Sequence, residues 1–199
     1  MGGVDAVPPA LPPLARLPVA AVLRDGTPAV VRAGGAPGDR DLLLAGFEQF
    51  SAASRYHRFL TVVPTLTEGM LHRLVDEVDG RDHVVVVLAP ADQPDHPVGV
   101  ARLIRYPHDP TIADIAVSVT DDWQGRGVAT AMLRVLMPLR PVGVTRLDTE
   151  AAADNPAALA MLRRLGCTQL TVQGSGVYRV QVELGPDAPS PPSPPSPPS

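Results

Sequence analysis

The chain of 199 residues has no lysine: all seventeen of its basic side chains are arginine. A lysine amine is the chemical handle of the P-loop, of the protein-kinase strand lysine and of the pyridoxal Schiff base, so its absence excludes all three chemistries. Cysteine is nearly missing too. Cys167 stands alone, which excludes an internal disulfide and makes a reducing cytoplasm the simplest setting; beside an apolar helix it reads as a buried structural thiol. No G-x-S-x-G elbow offers a nucleophilic serine, and Ser175 in Gly174-Ser175-Gly176 reads as a hairpin turn. His57, His72, His83, His96 and His108 are scattered without ligand spacing, so no metal is expected. Aromatics are only 4% and the net charge is −4, with no basic run, which argues against nucleic acid as a partner. No apolar run approaches the ~18 residues that would indicate a membrane span.

What is present suffices for one domain: 45% of the residues are hydrophobic. Residues 1–18 are broken by prolines and carry only Arg16 as a basic residue, so they fit a disordered segment, neither signal peptide nor spanning helix. Residues 186–199 repeat Pro-Pro-Ser and should be an extended, unpacked tail. Residues 19–185 remain as the folded domain.

Within it, periodicity predicts a strand at Pro28–Arg32, helices near Asp39–Phe50 and Ala52–Leu60, and a capping box at Thr65-Leu66-Thr67-Glu68. Met70, Leu71, Leu74, Val75 and Val78 make one apolar face of the helix that follows. Strands are expected at His83–Ala89, Val98–Tyr106 and Thr111–Thr120, then a helix from Val128 to Arg140 that Pro138 kinks or ends. Strand Arg146–Ala151, helix Pro156–Leu165 and a hairpin of Thr168–Gln173 with Val177–Leu184 finish a mixed α/β fold. Asn155 is the N-cap of the last helix and Gly166 lies just past its end.

The stretch Val119 to Leu133 carries the most chemistry. A strand ending at Asp121-Asp122 runs through Gln124-Gly125-Arg126-Gly127 into an apolar helix, so unpaired N–H groups and the positive end of the helix dipole face whatever anion approaches. Gly125 and Gly127 also begin a G-x-G-x-x-G pattern with Asp148 or Glu150 roughly 20 residues on, as in dinucleotide folds, but Thr130 replaces the third glycine. By itself the turn is equally compatible with an ordinary strand-to-helix connection.

Two motifs in order carry a resemblance. Gln124-Gly125-Arg126-Gly127-Val128-Ala129 is similar to the Q/R-x-x-G-x-G/A motif of the GNAT N-acetyltransferases, and Asn155-x-x-Ala158 to Leu165-Gly166-Cys167 resembles their N-x-x-A…L-G-F helix. Upstream, Ser54-Arg55-Tyr56-His57-Arg58-Phe59 resembles the S-R-Y-x-R-F element of the actinobacterial protein lysine acetyltransferases, although those arginines taken singly read as facing water while Tyr56 and Phe59 pack. The resemblance spans about Thr27 to Leu184. It implies the GNAT fold, a mixed central sheet of about six to seven strands flanked by about four helices. It implies acetyl-CoA as cosubstrate and transfer of acetyl to a primary amine, with a protein lysine side chain as the favoured acceptor. A small-molecule amine acetyltransferase and a non-catalytic acetyl-CoA-binding module are the alternatives.

Transfer to an amine needs the neutral form, which is only about one part in a few thousand for a free lysine at pH 7, so a general base helps. The family glutamate, five residues before the valine that precedes the glycine turn, corresponds to Asp114 here, with Val119 as that valine. The missing methylene withdraws the carboxylate by roughly 1.5 Å. Asp114 and Val119 should face opposite sides of an ideal strand, so both roles require a bulge or twist between them. Asp114 reads equally well as a solvated strand residue, and Glu150 is the reserve base. By the same resemblance Val117 N–H donates to the oxyanion, and the pantetheine arm pairs with Val117 and Val119. The pyrophosphate rests on Gln124, Gly125, Gly127, Val128, Ala129 and Thr130, with Arg126 adding a charged contact, and Asn155 lies near the thiol. The tyrosine that many members use as general acid is Leu162 here.

Overall fold

The computed structural model describes residues 13–174 and 176–185. The expected tail 186–199, residues 1–12 and Ser175 lie outside the described residues. Of the N-terminal segment, Pro13–Arg16 form a 3-10 turn, and Leu14 and Leu17 pack against the core.

One sheet organises the domain. Its strands are β1 (Val19–Val22), β2 (Pro28–Ala33), β3 (His83–Pro90), β4 (Gly99–Tyr106), β5 (Asp109–Val119), β6 (Arg146–Ala152), β7 (Gly166–Gly174) and β8 (Val177–Leu184), in the spatial order β1-β2-β3-β4-β5-β6-β8-β7. The helices are α1 (Asp39–Glu48), α2 (Ala52–Phe59), α3 (Glu68–Leu71, continued by a π turn over His72–Asp76), α4 (Val128–Leu136) and α5 (Pro156–Arg163). Among the described residues, eight strands and five helices thus exceed the expected six to seven and four. The first strand, Val19–Val22, lacks the alternation that would mark it and pairs with β2 through a turn in which Asp25 Oδ1 accepts from Thr27 N at 3.0 Å.

Both faces of the sheet are covered. β3 is buried at every position, as its Val84-Val85-Val86-Val87 run requires. Val84, Val86 and Leu88 pack with Val128, Met132, Leu133 and Leu136 of α4, while Val85 and Val87 face a cavity under α1 to α3. Burying four such α4 side chains contributes about 1.5–3 kcal/mol each, which holds the helix against the sheet. α5 joins the same layer through Leu159 and Leu162. On the other face Phe47, Leu66 and Leu71 form a second cluster with Leu43, Phe50, Phe59, Met70 and Leu74.

Several local expectations are corrected. The N-cap of α3 is Thr67, whose Oγ1 accepts from Met70 N, and not Thr65. α4 ends at Leu136 and tightens into a 3-10 turn over Met137–Leu139 that contains Pro138. Gly166 is not a helix cap: it begins β7, where a Cβ would lie 2.0 Å from Glu183 O. Cys167 is exposed, because β7 is the outermost strand. Among the described residues no helix is long and apolar enough to cross a membrane.

Candidate active site

The sheet is antiparallel except where β5 meets β6, and that parallel contact covers only Ile112↔Arg146 and Ala113↔Leu147. Beyond Ala113 the two strands diverge. Backbone groups of alternate residues turn to opposite edges of a strand. Thr120 N donates to Val98 O on the β4 side, whereas Ile115 O accepts from Thr149 Oγ1 at 3.0 Å and Val119 O from Gln124 Nε2 at 3.3 Å on the other. Val117 and Val119 therefore present their N–H groups to the gap. No bulge separates Asp114 from Val119; the register with β4 runs unbroken from Gly99↔Val119 to Ile104↔Asp114. None is needed, because the valines act through main-chain groups that lie in the sheet plane, whichever face their side chains take.

The gap leads directly to the start of α4. Gly127 is its N-cap at φ +95°, and a Cβ there would press on Arg24 N at 3.2 Å. No side chain caps this helix, in contrast to α2, α3 and α5, which Ser51, Thr67 and Asn155 cap. The first backbone bond within α4 is Ala131 N to Gly127 O, so the N–H groups of Val128, Ala129 and Thr130 remain available. A cleft of about 1120 Å³ is lined by Val117, Val119, Gln124, Gly125, Gly127, the first turn of α4 and Asn155.

The guanidinium of Arg126 does not line this cleft. It pairs with Asp25, donates to Thr27 Oγ1 at 3.0 Å and stacks over Trp123 at 3.9 Å from the ring centroid, so it braces the turn from behind. Arg24, Arg134 and Arg164 bring positive charge to the cleft instead, and Arg24 also donates to Gly125 O at 2.9 Å. No motif marks these arginines, since their positions follow from packing alone.

A second cavity, of about 490 Å³, opens into the cleft at Val117. Asp114, Glu150, Tyr106 and the buried Asp148 line it. Asp148 is already engaged: Arg179 holds it at 2.5 and 2.8 Å and Gln181 at 3.0 Å, and these partners keep its carboxyl below the usual range. Burial raises the Tyr106 phenol, which donates to Asp148 O at 3.1 Å. Asp114 and Glu150 have no such partner among the described residues. Leu162 is buried at the wall, so this position supplies no acid.

α2 roofs the junction of the two cavities. Asp121, at the end of β5, accepts from Ser51 N at 3.1 Å and Ser54 Oγ at 2.6 Å, and Gln124 Nε2 joins this cluster at 3.2 Å from both Ser54 Oγ and Asp121 Oδ1. Burial opposes the Asp121 charge, but these hydrogen bonds outweigh it and lower its pKa. Farther along α2, His57 Nε2 lies 3.2 Å from Asp154 Oδ1 in the loop before α5. The arginines of the Ser54–Phe59 segment do not simply face water. Arg55 lies over Phe47 and donates to Phe50 O and Pro64 O, while Arg58 lines both cavities.

Comparison with known proteins adds to this geometry. The model of the Acetyltransferase (GNAT) family matches residues 48–167. The Acetyltransferase Pat of Mycolicibacterium smegmatis is 33% identical over 156 residues, which cover 75% of this chain and 44% of that protein. The L-2,4-diaminobutyric acid acetyltransferase of Nocardia farcinica is 36% identical over 107 residues, covering 50% and 47%. The chain thus spans about half the length of the curated relatives it matches. The crystal structure of the GNAT domain of S. lividans PAT superposes with a TM-score of 0.73 at 27% identity, over 84% of this chain and 97% of that one. A strand gap, an uncapped glycine turn and a family match that covers both lead to one conclusion: this chain belongs to the GNAT family of acetyltransferases.

Proposed function

We propose that the chain binds acetyl-CoA in the cleft and transfers the acetyl group to a primary amine in the second cavity, with a protein lysine side chain as acceptor. The observation that carries this reading is the continuity between the free N–H groups of Val117 and Val119 and the uncapped first turn of α4. An extended arm can pair with the strand edge while a pyrophosphate rests on the N–H groups of Gly127 to Thr130. The donor supplies an activated thioester. Val117 N–H is aimed where its oxygen gains charge, a preorganised dipole of the kind worth ~3 kcal/mol in other acyl transfers. Asp114, one methylene shorter than glutamate, takes the amine proton through a water. Asn155 spends Oδ1 on Ala158 N at 3.0 Å, which leaves Nδ2 to face the thiol. The likeness to Acetyltransferase Pat supports acetyl transfer, and the resemblance of the Ser54–Phe59 segment to the actinobacterial protein lysine acetyltransferases supports the lysine acceptor.

A specific observation favours a second reading. Asp114 and Glu150 line one cavity as two unpaired carboxylates, which suits a small cationic amine. Calorimetry with acetyl-CoA, followed by intact-mass screening of purified proteins and small amines, tests both. Binding with turnover only on proteins supports the first reading and turnover only on small amines the second. Binding without turnover on any acceptor identifies a non-catalytic module.

A further inference from the structure

Three cavities meet at Arg58. The third, of about 90 Å³, lies between the sheet and the α1–α3 layer, and its walls include Phe47, Phe50, Phe59, Leu66 and Val98. It meets the donor cleft at Phe50 and Ser118 and the acceptor cavity at Phe59 and Ala116, and Arg58 is common to all three. Its volume is several times the ~10–15 Å³ that one water requires, so a short chain fits.

Its charges are unbalanced. Arg32 and Asp39 line it as a closed pair, Asp39 also accepting from Gly35 N and Ala36 N. Arg58 and Arg102 line it without any hydrogen-bond or ion-pair partner among the described residues, and Nε of Arg102 is buried and unsatisfied. Desolvation first and the charge of Arg102 second, against that of Asp114, lower the pKa of Arg58 to about 9. Desolvation likewise lowers that of Arg102, against the charge of Asp114 and with that of Arg73. A guanidinium is not deprotonated in proteins, so both are cations. Two half-buried guanidinium groups without a partner at the wall of an apolar chamber, one with a buried unsatisfied Nε, are completed by an anion, and a carboxylate matches their planar fork.

We infer that this chamber receives the acyl chain of the donor and selects chains that end in a carboxylate, as in the half-thioester of a four-carbon dicarboxylic acid, with Arg102 and Arg58 holding that carboxylate. In the transfer the amine nitrogen bonds to the thioester carbon as the carbon–sulfur bond breaks. The amine proton leaves through water to Asp114, and the thiolate keeps the electron pair and is protonated on release. The distal carboxylate stays ionised throughout, so a cationic acceptor becomes an anionic product.

The inference rests on the coenzyme A reading of the cleft, and one calorimetric series separates the two. The ligands are acetyl-CoA and two thioethers of coenzyme A that cannot hydrolyse, S-butyl and S-(3-carboxypropyl). The carboxypropyl compound should bind at least about tenfold tighter than its uncharged isostere, and Arg102→Gln should bring that ratio close to one. Acetyl-CoA binding by the variant reports that it is folded. Equal or tighter binding of S-butyl by the unaltered chain overturns the anion site, as does a ratio that survives Arg102→Gln. Failure of all three ligands to bind overturns the cleft assignment itself.

Discussion

A carboxylate stays buried in this fold only where cations reach it. Asp148 depends on Arg179 and Gln181, and because its folded pKa is depressed, its stabilising contribution is present at neutral pH. It fades as the pH falls below the unfolded value of about 3.9. Asp148→Asn should lower stability by about 1–2 kcal/mol in urea unfolding at pH 7, and the difference should shrink at pH 3. Asp114 is tested by rate rather than stability. Asp114→Asn should reduce kcat/KM about 100-fold in steady-state assays with the acceptor found by screening, and Asp114→Glu should retain or raise it. The glycine turn and Asn155 were legible as residues because each belongs to a short local motif, and Asp114 was reached only through its spacing from that turn in the family resemblance. Arg102 belongs to no motif, and Arg58, although inside the Ser54–Phe59 segment, read as facing water. A charged side chain in a helix or strand reads as solvated, and only the packing of α2 against β5 half-buries these two.

At the level of elements, the strongest constraint is the contact of β7 with β8. A Cβ at Gly166 would fall inside the contact radius of Glu183 O, so Gly166→Ala should destabilise the domain by more than about 2 kcal/mol, measured by thermal or urea unfolding. α2 makes a subtler case. Asp121 ties its start to the end of β5 beside Gln124, and Asp121→Ala should weaken acetyl-CoA binding several-fold in calorimetry by releasing that roof. The apolar periodicity of α4 and α5 and the alternation of β4 and β5 marked these elements directly. β1 was invisible because Val-Ala-Ala-Val has no polar face, and the α3 cap shifted by two residues because only Thr65 has a glutamate at capping-box spacing, whereas Thr67 caps the helix with Met70 at that position. Cys167 was expected inside because strand order, which puts β7 at the edge, is not written in local sequence.

For the molecule as a whole, a ligand that binds the folded chain alone stabilises it by mass action. At 100 times its dissociation constant, acetyl-CoA should add about 2.7 kcal/mol, which for a domain of this size raises Tm by roughly 5–10 °C in a thermal-shift assay. The divergence of β5 from β6 has a kinetic consequence as well. Amides in the middle of an eight-stranded sheet ordinarily resist deuterium for as long as the domain stays folded. Those of Val117 and Val119, though on an interior strand of the sheet, should take up deuterium like fraying termini, and a docked donor should lengthen their protection more than that of any other strand residue.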